Sequence, residues 1–151
     1  NRKNLKLYLV GSGEYRSELE QKARDLKIVD QVEFLGFRDD VLPIIASADI
    51  IVHPSLEDAL SQSLIEALML GRPIVATNIS GAGDILDEGK YGRRVRPADA
   101  DDFCRGLLDT IENLPVAQEK AARGREYLLR YMDAKRVTDE YAGVYRKVLG
   151  L

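Results

Sequence analysis

Apolar positions along this chain follow two alternating patterns. Short apolar-rich runs, each closed by glycine, proline or a polar cluster, occur at Leu5–Val10, Gln31–Leu35, Ile50–His53, Pro73–Thr77 and Tyr91–Arg96. Runs of this length and β-branched content predict strands. Between them, apolar residues return at helical spacing. Leu19, Ala23 and Leu26 align over Glu14–Leu26, and Leu64, Ala67 and Leu68 align over Ser61–Leu70, with Gly71 as a stop. A short helix through Ala48 can be capped by Asp39 or Asp40, with Pro43 in its first turn. Ser80–Glu88 reads as a short helix or turn. Three longer helical segments follow: Asp99–Asn113, with Phe103, Leu107, Leu108 and Ile111 as its apolar face and Cys104 as a small core residue, then Val116–Tyr131 and Ala134–Leu149. Strands that alternate with helices, without hairpin signals, predict an α/β fold with a doubly wound, Rossmann-like parallel sheet.

Sheets of that kind bind ligands beyond the carboxyl ends of their strands, where the strand order reverses. The rule nominates the loops after Val10, Leu35, His53 and Thr77, and with them Gly11-Ser12-Gly13 and Gly36-Phe37-Arg38. The stretch from Ile50 to Thr77 carries the most chemistry: a strand, a loop with Ser55, Glu57, Asp58, Ser61, Gln62 and Ser63, a helix, and a second strand. A helix start has unpaired N–H groups and partial positive charge, which suits an anion and phosphate above all. Glu66 lies a turn and a half inside that helix, within reach of a ligand held at its start. From the residues alone Glu66 can equally be a solvated helix carboxylate, Asp58 an N-cap-like loop residue, and each glycine a simple strand end. His53 closes the central strand, either as a general base or as a packed strand end with one satisfied nitrogen. Arg93, Arg94 and Arg96 could face an anionic membrane, but the period-2 spacing of Arg94 and Arg96 fits the exposed face of an edge strand.

The order of residues in PSLEDALSQSLIEALMLGRPIVAT resembles the donor-binding signature of the retaining, GT-B fold glycosyltransferases of family four. That signature runs from an acid through seven residues to Glu-Ala, an apolar pair, Gly and Pro-Val-Val-Ala. Here Glu66 is the second acid and Asp58 the first, where Glu is usual; Glu57 competes for that place one residue out of register, and Ser61 stands where Gly is usual. LYLVGSGEYRSELEQKA, VEFLGF, SADIIVHPS, RPIVATNISGAGDIL and YGRRVRP extend the resemblance over nearly the whole chain.

The resemblance implies roles residue by residue. Glu66 would accept hydrogen bonds from the ribose hydroxyls of the donor nucleotide, and Asp58 from hydroxyls of the transferred sugar. Backbone N–H groups at Gln62 and Ser63, after Ser61, would face the diphosphate. Gly11 and Gly13 would line the nucleotide site, Phe37-Arg38 would lie along the base, and Gly81 would shape the sugar pocket, with Asp84 where Glu is usual. The implied substrate is a UDP- or GDP-linked sugar, with no further cofactor and no metal, and the acceptor is a glycan or lipid-linked molecule. A nucleotide-sugar epimerase of the same fold and a non-catalytic nucleotide-binding domain are the alternatives. The resemblance also implies that a first strand and helix, with the Arg and Lys that clamp the diphosphate, and the acceptor domain all precede Leu5. The expectation is therefore a single donor-binding domain over 1–151, a fragment in which the strands at Leu5–Val10 and Ile50–His53 close up or another segment fills the gap. Such a fragment would bind nucleotide weakly and transfer no sugar alone.

Composition narrows these readings in three places. At 151 residues and 45% hydrophobic, the chain can bury one domain core. Its formal net charge of −3 argues against nucleic acid as a partner. The single Cys104 excludes an intrachain disulfide and fits a reducing, cytoplasmic compartment. No apolar run approaches the ~18–20 residues a membrane span needs, so any membrane association would be peripheral, at the inner face.

Overall fold

The computed structural model describes residues 4–150 of the chain. It is built from five strands and seven helices: β1 (Leu7–Val10), α1 (Arg16–Asp25), β2 (Val32–Gly36), α2 (Val41–Ser47), β3 (Ile51–His53), α3 (Gln62–Met69), β4 (Ile74–Thr77), α4 (Ser80–Ile85), β5 (Arg93–Val95), α5 (Ala100–Glu112), α6 (Leu114–Tyr131) and α7 (Ala134–Leu149). Every strand pairing among the described residues is parallel. The chain divides into two compact units, 1–43 and 44–151, with the boundary inside α2.

The first unit holds β1, α1 and β2. Leu7 pairs with Val32 and Leu9 with Phe34, and the register slips after Leu9, where Val10 faces Gly36. Gly36 adopts a left-handed φ of 68°, and its carbonyl accepts from the N–H of Gly11 at 2.7 Å. The two glycine turns foreseen after these strands are thus joined to each other. Ala23 of α1 is buried, while Leu7, Tyr8 and Val10 stay 40–47% exposed. The Asp40 carboxylate, just before α2, accepts two hydrogen bonds from Arg38, both at 2.7 Å.

The second unit is a three-stranded sheet in the order β3-β4-β5, with Ile51 opposite Ile74 and Val75 opposite Arg93. Its central strand β4 is buried at every position, and Ile74, Val75, Leu64, Leu68 and Leu86 form the heart of the core. Among the described residues β3 pairs with β4 and β4 with β5, which leaves β3 and β5 as the edges of this sheet.

Two close approaches set where the helices lie. A Cβ on Gly106 of α5 would come within 2.5 Å of Val95, and a Cβ on Gly124 of α6 within 2.6 Å of Leu68 and 2.7 Å of Tyr91. Glycine at these points lets α5 rest on β5 and α6 on α3. Arg125 of α6 also donates to the Met69 carbonyl at the end of α3 at 2.8 Å. This satisfies an orphan carbonyl and places positive charge at the helix C-terminus. Gly71, at φ 65°, ends α3 as foreseen.

Two expectations for side chains do not hold. Cys104 is exposed rather than core, because the buried face of α5 runs through Gly106 and Thr110 and leaves position 104 outside it. Arg94 does not lie on an exposed strand face. Its side chain is 18% exposed and is held by Glu88 and the side-chain amide oxygen of Asn78. Arg93 pairs with Asp109, and Arg96 with Asp99 and Asp102, so each of the three arginines faces an acid of its own chain.

Candidate functional site

The site forms at the carboxyl ends of β3 and β4, in the second unit. β3 stops at His53 because Pro54 follows, and a proline cannot donate to the ladder. The chain then makes a loop of eight residues, Pro54 to Ser61, before α3 begins at Gln62. Thr77, at the end of β4, donates its hydroxyl to the carbonyl of Ser55, with the His53 carbonyl 3.3 Å away, and so fixes the first residues of the loop. Ser61 caps α3: its hydroxyl accepts from the Leu64 N–H. A cap of this kind leaves the N–H groups at Gln62 and Ser63 pointing out of the helix end, and among the described residues no hydrogen bond takes either of them.

α3 buries Leu64, Ile65, Ala67 and Leu68. Helical spacing then puts Gln62, Ser63 and Glu66 together on the opposite face, where Gln62 and Ser63 are exposed and Glu66 is half-buried. The Glu66 carboxylate has no hydrogen bond or ion pair among the described residues. Helical side chains lean toward the helix N-terminus, which directs Glu66 to the end where the free N–H groups lie.

Asp58 is held in place, and Glu57 is not. Asp58 Oδ2 lies 3.3 Å from His53 Nε2, and its side chain is 29% exposed. Glu57 is exposed and unpartnered among the described residues. The same loop is gripped from behind by α4. A Cβ at Gly81 would stand 2.6 Å from the Ala59 carbonyl oxygen and 2.7 Å from that of Asp58. Only glycine lets the loop backbone lie against α4 so closely, and Gly81 thereby shapes the site through the backbone. Leu56, Glu57, Asp58, Ala59, Ile79 and Ser80 line an open cleft of about 590 Å³. Asp84 is exposed on α4.

Six of the predicted residues thus belong to one constellation in the second unit: Asp58, Ser61, Gln62, Ser63, Glu66 and Gly81. Gly11, Gly13, Phe37 and Arg38 belong to the first unit. There Phe37 is 75% exposed, and Arg38 is committed to Asp40, whose carboxyl its hydrogen bonds hold below the ordinary carboxylate range. Sequence reasoning did not foresee that His53 would touch Asp58. The signal was present as a histidine five residues before an acid across a proline turn, but that spacing has no fixed geometry in a loop.

Comparison with known proteins places the chain in a family. Residues 1–113 match the family model described as glycosyl transferases group 1. The chain is 31% identical over 135 residues to the lipopolysaccharide core biosynthesis glycosyltransferase LpsE of Rhizobium meliloti, covering 89% of this chain and 40% of that protein. It is 25% identical over 144 residues to the N-acetyl-alpha-D-glucosaminyl L-malate synthase of Bacillus anthracis, covering 95% of this chain and 38% of that protein. Among solved structures, Anabaena HepE in complex with UDP-glucose superposes with a TM-score of 0.84 at 25% identity, covering 94% of this chain and 41% of that one. The chain spans about 40% of the length of the curated relatives it matches.

Proposed function

Because the chain belongs to the group 1 glycosyl transferases, we propose that it is the donor-binding part of an enzyme that moves a sugar, with retention, from a UDP- or GDP-linked donor to a glycan or lipid-linked acceptor. One observation carries the reading. A capped helix start with two free N–H groups, a carboxylate without a partner on the same helix face, and a second carboxylate fixed beside an open cleft all lie within one loop–helix segment.

Each part has work to do on a nucleotide sugar. The N–H groups of Gln62 and Ser63, with the partial positive charge of α3, meet the diphosphate. Negative charge grows there as the glycosidic bond breaks, and donors already aimed at it stabilise the transition state more than the bound donor. The Glu66 carboxylate is an acceptor only, with lone pairs enough for both hydroxyls of a ribose diol. Asp58, with Oδ2 turned to His53, keeps Oδ1 for a hydroxyl of the transferred sugar. Support for a uracil nucleotide comes from HepE, a relative solved with UDP-glucose. The reading rests on the second unit alone. The activity belongs to the whole protein, and the 151-residue chain binds donor without transferring its sugar.

Thermal unfolding with UDP, GDP and UDP-glucose tests this. A ligand bound only by the folded chain stabilises it by about 2.7 kcal/mol at a hundred-fold excess over Kd, a rise of a few degrees in Tm for a domain of this size. At least one of the three produces the rise, and Glu66→Ala reduces it to about half. A midpoint unmoved by all three would contradict the reading.

A further inference from the structure

His53 is 9% exposed, and it is the only histidine of the chain. Its Nε2 sits among three side-chain oxygens: Ser61 Oγ at 3.0 Å, Asp58 Oδ2 at 3.3 Å and Ser55 Oγ at 3.4 Å. Its Nδ1 is buried with no hydrogen-bond partner. These contacts decide where the proton is. A carboxylate can only accept, so the approach to Asp58 is favourable when Nε2 carries hydrogen. The other tautomer would set the Nε2 lone pair against the carboxylate and leave an N–H at Nδ1 buried and unsatisfied. Ser61 can accept from the same N–H while its own hydrogen points to Ser63 Oγ, 3.0 Å away. Since Ser61 also caps α3, the ring is tied to the helix that carries Glu66. The ring does not line the cleft, whereas Asp58 does.

From this arrangement we infer that His53 is a positioning residue: its Nε2–H, anchored on Ser61, holds the Asp58 carboxylate by polar contact at 3.3 Å, so that Oδ1 faces the cleft where the transferred sugar is read. The inference deepens the donor reading and rests on it for the role of Asp58. The contact between His53 and Asp58 stands without it. His53 touches no substrate in this account and moves no proton.

Two measurements on the full chain test the inference. In the first, long-range ¹⁵N–¹H NMR reads the lone imidazole without ambiguity. The Nε2–H tautomer is expected, and Asp58→Asn should move the Nε2 resonance with the fold intact. An Nδ1–H ring, or a resonance indifferent to Asp58→Asn, overturns the inference. The second measures binding of UDP and of UDP-glucose. His53→Phe, which fills the volume without a donor, should lower the preference for UDP-glucose over UDP about three- to ten-fold, as expected for losing a polar contact that orients the carboxylate. Affinity for UDP itself should change little, because Ser61 still caps α3. His53→Gln, whose amide can donate from a similar place, should restore most of the preference. An unchanged preference in His53→Phe overturns the positioning role. If that variant does not fold, His53→Asn, whose amide is too short to reach Asp58, replaces it with the same two outcomes. If the wild-type chain binds neither ligand, the donor reading fails, and the imidazole spectrum alone decides whether His53 holds Asp58.

Discussion

At the scale of single residues, the site depends on a missing side chain as much as on those present. Gly81 admits the Asp58–Ala59 backbone to contact distance, with no room for a methyl group at 2.6 Å from a carbonyl oxygen. Backbone is the least yielding of neighbours, so Gly81→Ala must move either the loop or α4, at a cost of about 1–3 kcal/mol. We expect this variant to unfold at lower denaturant and to bind UDP-glucose more weakly, read by chemical denaturation and by titration of the folded protein. A Gly81→Ala chain with wild-type stability and affinity would show that the loop tolerates displacement. Asp58, Glu66 and Ser61 can be nominated from the sequence because the spacing of two acids around a helix start is a one-dimensional pattern. The hold of His53 on Asp58 was not legible, because it depends on how a loop of eight residues folds back. Cys104 was misread for a related reason: on α5 the small residues Gly106 and Thr110 turn inward, where an apolarity count had placed Leu108, which is 37% exposed.

Elements are best understood here through their ends. Ser61, Asp99 and Asp133 each cap a helix through a side-chain oxygen, and all three boundaries lie within a residue of where the sequence placed them. Strands were overestimated at their margins: β5 covers Arg93–Val95 against a prediction of Tyr91–Arg96, and β1 begins at Leu7 against Leu5. Apolar character at those positions reports burial or mere hydrophobicity, not ladder pairing. Beyond β5 the chain turns into α5 through Asp102, whose carboxylate accepts the Arg96 N–H at 2.8 Å and faces Arg96 and Arg105. The Arg96 N–H hydrogen bond is the main reason its carboxyl lies below the ordinary range. A folded-state value below the unfolded one means that the unfolded chain binds the extra proton, so the contribution is complete above about pH 4 and is lost as pH falls through the lowered value. Asp102→Asn keeps an acceptor for Arg96 but removes the titrating group. Its stability, followed by denaturant midpoint from pH 6 down to pH 2, should fall less steeply than that of the wild type. Parallel curves would remove Asp102 from the acid-sensitive set.

For the whole molecule, the alternation of strand and helix was enough to predict a parallel α/β architecture, and the solved relative shares it. The division of the sheet into two-stranded and three-stranded parts was not readable from any single segment. It reflects which edges find ladder partners within each unit. The second unit contains most of the buried core and the whole of the constellation from His53 to Gly81. The central claim therefore concerns that unit: α3 holds a diphosphate at its start while Glu66 takes the adjoining ribose. The most direct test is a two-by-two binding cycle, by titration calorimetry, of UDP and 2′-deoxy-UDP against the wild-type chain and Glu66→Ala. The account predicts that the wild type favours UDP by about ten-fold, the worth of one hydrogen bond to a carboxylate, and that Glu66→Ala binds the two ligands equally. A preference for UDP that survives intact in Glu66→Ala would contradict it.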